Sequence, residues 1–144
     1  MKKAHINSLR NLLTHYDREE ILSNIDQINF VAQDWENYKT VFATDETAVK
    51  WFMDFCKSHN LTATRVMRMN HKLGKEVPYG RYVIEEMKDY QKPYITLWIK
   101  DGHQNDHSTA YVELGASHVD MWSAMGLSDL EAKMNKLVRM SKES

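Results

Sequence analysis

Cysteine, proline and glycine are all scarce: one cysteine, two prolines and five glycines occur in 144 residues. A lone Cys56 cannot close an intrachain disulfide, and it cannot supply the two or four thiolates of a cysteine-based zinc site. A reducing compartment is its natural setting, so a cytoplasmic location is expected. The glycines form neither a G-x-G nor a G-x-x-x-x-G-K arrangement, which excludes the standard phosphate-cradling nucleotide motifs. Nowhere does the chain reach the ~18 consecutive apolar residues of a membrane-spanning helix. The opening residues MKKAHINSLRNLLTHYDREE return to charge before any apolar core develops, which is not the pattern of a secretory leader. No membrane partner is expected.

An excess of one charge is missing as well. Lys and Arg number 19 against 20 Asp and Glu, a formal net charge of −1. A dedicated polycation coat for nucleic acid is therefore excluded, and any such contact has to be local. With 42% hydrophobic and 27% charged residues, the composition predicts one ordinary globular domain spanning 1–144. Seven histidines, ordinarily titrating near pH ~6.5, would carry the chain to positive charge in mild acid.

Periodicity outlines the fold. Ile6, Leu9, Leu12, Leu13 and Tyr16 share one helical face, and Asp17 with Glu20 forms a capping box for a second helix with Ile21, Leu22, Ile25 and Ile28 inward. Residues 1–29 are thus a helical lead-in. "YKTVFA", 38–43, is β-rich and predicts a strand. Thr44 or Asp45 can cap a helix that buries Ala48, Val49, Phe52, Met53 and Cys56 and stops at Asn60. "LTATRVMRM", 61–69, is again β-branched, so strand, helix and strand predict a crossover unit with parallel strands. "NHKLGKEVPYG", 70–80, reads as a loop, and "RYVIEEMKDY" leans to strand. "PYITLWIK" is the clearest strand, with Ile95, Leu97 and Ile99 on one side and Tyr94, Thr96 and Trp98 on the other. "STAYVEL" pairs with it as a hairpin. Ser117 with Asp120, and Ser128 with Glu131, predict two closing helices separated by Gly126, the last burying Leu130, Met134, Leu137 and Val138. The polar tail "MSKES" is expected to fray. The fold class is α+β: a mixed four- to five-stranded sheet over 38–114 with one crossover helix, and helices at 117–141 covering one face.

"DGHQNDHSTAYVELGASHVD", 101–120, gathers three of the histidines among acids and invites a metal or catalytic reading. Positions four apart share a face only on a helix, whereas His103, Asp106 and His107 lie in a polar connection between two strands. Asp120 is explained by its place in a helix cap. "HST" at 107–109 resembles half of the paired His-x-Thr pattern of two-histidine phosphoesterases, yet no other histidine has Ser or Thr two residues on. "EMK" at 86–88 resembles the Glu-x-Lys strand of a nuclease superfamily without the upstream aspartate. Cys56, on the apolar face of its helix, reads as a small buried hydrophobe.

What remains is charge and aromatic surface. From Lys57 to Arg81 lie Lys57, Arg65, Arg68, Lys72, Lys75 and Arg81 with His59 and His71, against the single acid Glu76. On a strand, Arg65 and Arg68 point to opposite faces. Tyr79 offers a ring for stacking, and Trp98 lies on the less apolar side of its strand. The sequence therefore predicts a small binding or regulatory protein that contacts a larger protein or a nucleic acid. Its contact residues are Arg65, Arg68, Lys72, Lys75, Tyr79, Arg81 and Trp98, with no cofactor. The competing expectation is a phosphoester hydrolase, with His103 and His107 as metal ligands or acid/base groups and Asp106 or Glu113 in support.

Overall fold

Capping chemistry sets the first helices. In the computed structural model, which describes Asn7, Arg10 and residues 17–101, 110–115 and 124–143, the Asp17 carboxylate accepts the Glu20 backbone N–H at 2.9 Å. That cap opens α1 (Arg18–Ser23), and after Asn24 the chain continues into α2 (Ile25–Val41). Of the predicted helix at 6–16 the structure describes only Asn7 and Arg10, both helical, and Ser117 and Asp120 lie outside the described residues. Of the residues expected inward here, Ile28 is buried, while Leu22 and Ile25 are exposed.

The predicted strand at 38–43 is helical instead, forming the last turn of α2 and the bend after it. Packing overrides propensity at this point. Trp35, Tyr38 and Phe42 recur at helical spacing, with ring centroids 5.2 and 4.7 Å apart, and they deliver Phe42 into the core. From there a row of rings runs through Trp51 and Phe55 to His59, which accounts for much of the aromatic surplus.

Thr44 caps α3 (Asp45–Ser58) by accepting the Thr47 N–H at 3.2 Å, and Asn60 ends the turn in the left-handed region at φ 56°. Ala48, Phe52 and Cys56 are buried as the pattern predicts, and Phe55 joins them. Met53, predicted inward, is exposed and Val49 is half-buried.

The sheet comprises β1 (Ala63–Asn70), β2 (Lys75–Ile84), β3 (Tyr94–Trp98) and β4 (Tyr111–Gly115), in sequence order. Every pairing is antiparallel. Among the described residues there is thus no crossover unit with parallel strands and no fifth strand, because the segment expected to open that unit belongs to α2. The segment 70–80, predicted as a loop, is a tight turn followed by strand. Gly74 takes φ 66°, and the Asn70 side chain accepts the N–H groups of Lys72 and Leu73 at 3.0 and 3.2 Å. Pro78 sits where β2 pairs with β1 but not with β3, a position that tolerates a missing N–H. "RYVIEEMKDY" divides, with Arg81–Ile84 ending β2 and a 3-10 turn at Glu85–Met87 following.

The closing helix, α4 (Leu127–Glu143), buries Leu130, Met134, Leu137 and Val138 as predicted, and it continues through most of the polar tail. These side chains meet Ala48, Phe52, Phe55 and Cys56 of α3 and the inward residues Ile84, Ile95, Leu97 and Leu114 of the sheet in one core. Fully burying each large aliphatic or aromatic side chain is worth about 1.5–3 kcal/mol. The fold is therefore α+β, with a four-stranded antiparallel sheet and helices at both ends.

Candidate functional site

The strand registers create a projecting ribbon. β1 pairs with β2 from Ala63–Ile84 to Asn70–Lys75, but β3 pairs with β2 only at Arg81, Tyr82 and Val83. The segment from Met67 to Pro78 is therefore a two-stranded arm reaching past the four-stranded part of the sheet. Arg68, His71, Lys72 and Lys75 are exposed on it. Met67, Met69 and Leu73 are exposed as well. Arg68 is opposite Val77, whereas Met67 and Met69 are opposite Pro78 and Glu76. Side chains alternate between faces along a strand, so the arginine and the two methionines lie on opposite sides of the ribbon.

The root of the ribbon continues into a face rich in rings. Arg81 pairs with Trp98, which in turn pairs with Tyr111, while Ile95 and Leu97 point the other way into the core. The Tyr79 and Trp98 rings meet edge to face at 6.2 Å, and Trp98 lies nearly parallel to Tyr111, 17° between planes at 6.4 Å. Tyr79, Trp98 and Tyr111 are each half-buried.

Guanidinium groups accompany these rings. Arg68 lies 3.8 Å above the Tyr79 ring centroid, and Arg81 sits 5.2 Å from Tyr90 and 5.0 Å from Trp98. Such contacts hold a planar cation against a π face without neutralising its charge. Arg81 also approaches the buried Thr96 hydroxyl at 3.5 Å, while its buried Nε has no acceptor among the described residues. Among those residues, no carboxylate lies within ion-pair distance of Arg68, Lys72, Lys75 or Arg81.

Arg65 differs from the other predicted contact residues. Its Nε donates to the Tyr79 carbonyl, and its Nη2 donates to the Asp101 carbonyl at 2.9 Å and reaches the Asp101 carboxylate at 3.5 Å. It lies over Tyr82 on the face opposite Arg68, as the alternation predicts, and clamps the ribbon root to the end of β3.

Glu113 closes the far side of the ring face. Its carboxylate accepts the Tyr94 hydroxyl at 2.7 Å and the Trp98 indole N–H at 2.9 Å. Burial first, then the hydrogen bond to Glu113 and after it the Glu113 charge, push the Tyr94 phenol up to about 12. The Tyr111 phenol is raised mainly by burial, with a smaller contribution from Glu113. Contacts thus link Arg68, Tyr79, Trp98 and Arg81, while Lys72 and Lys75 are exposed farther out on the ribbon. Tyr90, Tyr94 and Tyr111 are the participants that sequence reasoning left out. The available signal was alternation: Tyr94, Thr96 and Trp98 share one side of their strand.

The groups of the competing reading are not gathered by the described residues. His103, Asp106 and His107 lie outside them, and Glu113 is occupied by Tyr94 and Trp98. Among the described residues no group of three or more His, Cys, Asp and Glu side chains is arranged to hold a metal ion. Burial pushes the Cys56 thiol up to about 12, Glu86 adding to it, so the thiolate form of a nucleophile is suppressed. Ser58 and His59 meet at 3.0 Å, but both also bond the Phe55 carbonyl and so close the end of α3. No helix among the described residues is long and apolar enough to cross a membrane. Comparison with known proteins returned no matching family model, no matching curated protein and no matching solved structure.

Proposed function

We propose that this chain is a small binding protein, a regulator, inhibitor, adaptor or accessory factor, that holds a larger partner with its β-ribbon and the ring-bearing sheet face at the ribbon's root. One observation carries this reading. Arg68, Lys72, Lys75 and Arg81 have no carboxylate partner among the described residues, and two of them lie on aromatic rings that keep part of their surface in water. Intramolecular ion pairing explains Arg65, but it explains none of these four. Exposed cations can simply be solvated, yet rings and guanidinium groups together match the composition of recognition surfaces. The buried Cys56 suits action in a reducing cytoplasm. No observation among the described residues favours the hydrolase, whose two histidines lie elsewhere.

The test is capture from an extract of the cells that express the protein. The wild-type chain is expected to retain a specific partner, and the double variant Arg68→Glu, Lys72→Glu is expected to lose it while keeping its circular dichroism spectrum. Equal capture by both proteins would contradict the reading.

A further inference from the structure

We infer that the tip of the ribbon also docks on a second copy of this chain, against the strip formed by α1 and the first half of α2. This goes beyond the proposed contact with a larger partner and concerns the chain alone. Its charges nearly cancel in sum but are unevenly placed. Residues 67–78 hold Arg68, Lys72 and Lys75 against Glu76 alone, whereas residues 17–31 hold Asp17, Glu19, Glu20 and Asp26 against Arg18 alone. Among the described residues, no cation lies within ion-pair distance of Glu19 or Asp26, and no carboxylate lies within that distance of Lys72 or Lys75. Each surface lacks the charge that the other carries.

Exposed apolar side chains accompany both sets of charges. Leu73, 61% exposed at the ribbon's turn, is flanked in sequence by Lys72 and, beyond Gly74, by Lys75. Phe30, equally 61% exposed, follows Asp26 by one turn of α2, and Leu22, 57% exposed, follows Glu19 by about a turn of α1. Ile28 and Ala32 take the inward side of α2, which leaves Phe30 in water. Within one molecule the two surfaces do not cover each other, since both remain exposed. A second copy satisfies both at once: Leu73 meets Phe30 and Leu22 while Lys72 and Lys75 meet Asp26 and Glu19. Nucleic acid or an anionic lipid surface would answer the ribbon's cations, yet either would be repelled by the acids of the strip and would leave Phe30 and Leu22 uncovered. The contact joins two different patches, so each copy can give its ribbon and receive another.

Sedimentation equilibrium of the full chain tests this. At low salt the average mass of the wild type is expected to rise with concentration up to about 1 mM, and to return to that of the monomer as salt is raised. Lys72→Glu with Lys75→Glu should weaken association about tenfold or more, and so should Glu19→Lys with Asp26→Lys in a separate chain. Mixing the two variants should restore it. The reversed ribbon of one then meets the reversed strip of the other, and their unaltered surfaces meet as in the wild type. Phe30→Ser provides a second readout at the strip should the charge-reversed helices fail to fold.

A wild type that stays monomeric at low salt over that range would overturn the inference. So would association that the charge reversals and Phe30→Ser leave unchanged, or that mixing the two folded variants fails to restore. Glu19→Lys with Asp26→Lys leaves the ribbon intact, so capture of the larger partner from extract should persist in that chain. If the copies do not associate while capture depends on Arg68 and Lys72, the proposed function stands and the second occupant is wrong. If the copies associate through these surfaces while nothing else is captured, self-association stands and the proposed function falls.

Discussion

The Asp34 carboxylate, on α2, accepts the backbone N–H of Ser128 at 2.6 Å across 94 residues of sequence. The Asp129 N–H approaches its other oxygen at 3.4 Å. Helix α4 is therefore capped by a buried acid from another helix, which places a negative charge on the exposed amides of its first turn. Ser128, which the sequence marks as a cap paired with Glu131, stands inside the first turn. Asp34→Ala is expected to destabilise the fold by about 1–3 kcal/mol, and Asp34→Asn by less, since an acceptor remains. A Cβ added at Gly126 would collide with the Asp34 carboxylate. Gly126→Ala should therefore destabilise rather than give the modest gain usual for such a change. Urea denaturation of the three variants measures each effect.

Asp129 adds acid sensitivity at the same helix end. Its pKa is lowered from 3.8 first by the Met125 backbone N–H, which it accepts at 2.8 Å, and then by Lys133 at 3.0 Å. A depressed carboxylate contributes stability above its unfolded pKa and loses it as pH falls through the folded value. The gap in stability between wild type and Asp129→Asn should thus be full at neutral pH and shrink below about pH 4. Denaturation midpoints across that range report it, and a gap independent of pH would exclude this role.

The Tyr94–Glu113–Trp98 cluster predicts a spectroscopic response. Burial and the Glu113 charge hold Tyr94 neutral up to about 12. Glu113→Gln removes the charge but not the burial. Tyr94 should then ionise earlier than in the wild type while remaining above 10.0, and Trp98 emission should shift as its indole N–H loses a charged acceptor. Ultraviolet titration and fluorescence follow the two changes.

Cys56 should resist chemistry until the chain opens. Its thiol is buried and raised to about 12, so a thiol reagent at neutral pH should react slowly with folded protein and rapidly in denaturant. Cys56→Ser should cost about 1–3 kcal/mol by placing a hydroxyl in apolar surroundings.

Locally governed elements were legible in the sequence. Leu130, Met134, Leu137 and Val138 follow helical spacing, Ile95 and Leu97 follow strand alternation, and Thr44 caps the helix that its side chain can reach locally. Features decided by distant parts of the chain were not. Tyr38 and Val41 carry β propensity but are drawn into α2 by the packing of Phe42, and that change removed the predicted parallel unit. Asp34 and Ser128 are linked only in space. Within the proposed contact surface, Arg68, Tyr79, Arg81 and Trp98 were chosen by residue type and alternation. The alignment of Trp98 with Tyr111, and the occupation of Arg65 by Asp101, depend on strand register and on contacts that one strand's pattern does not contain.

The central claim is that the ribbon touches the partner. A photo-crosslinking amino acid placed at Leu73, on the ribbon, and separately at Glu131, exposed on α4, tests it inside the cell. The account predicts a discrete crosslinked species from position 73, lost when Arg68→Glu and Lys72→Glu are added, and none from position 131. Crosslinking from position 131 alone, or from both positions regardless of the charge reversals, would contradict it.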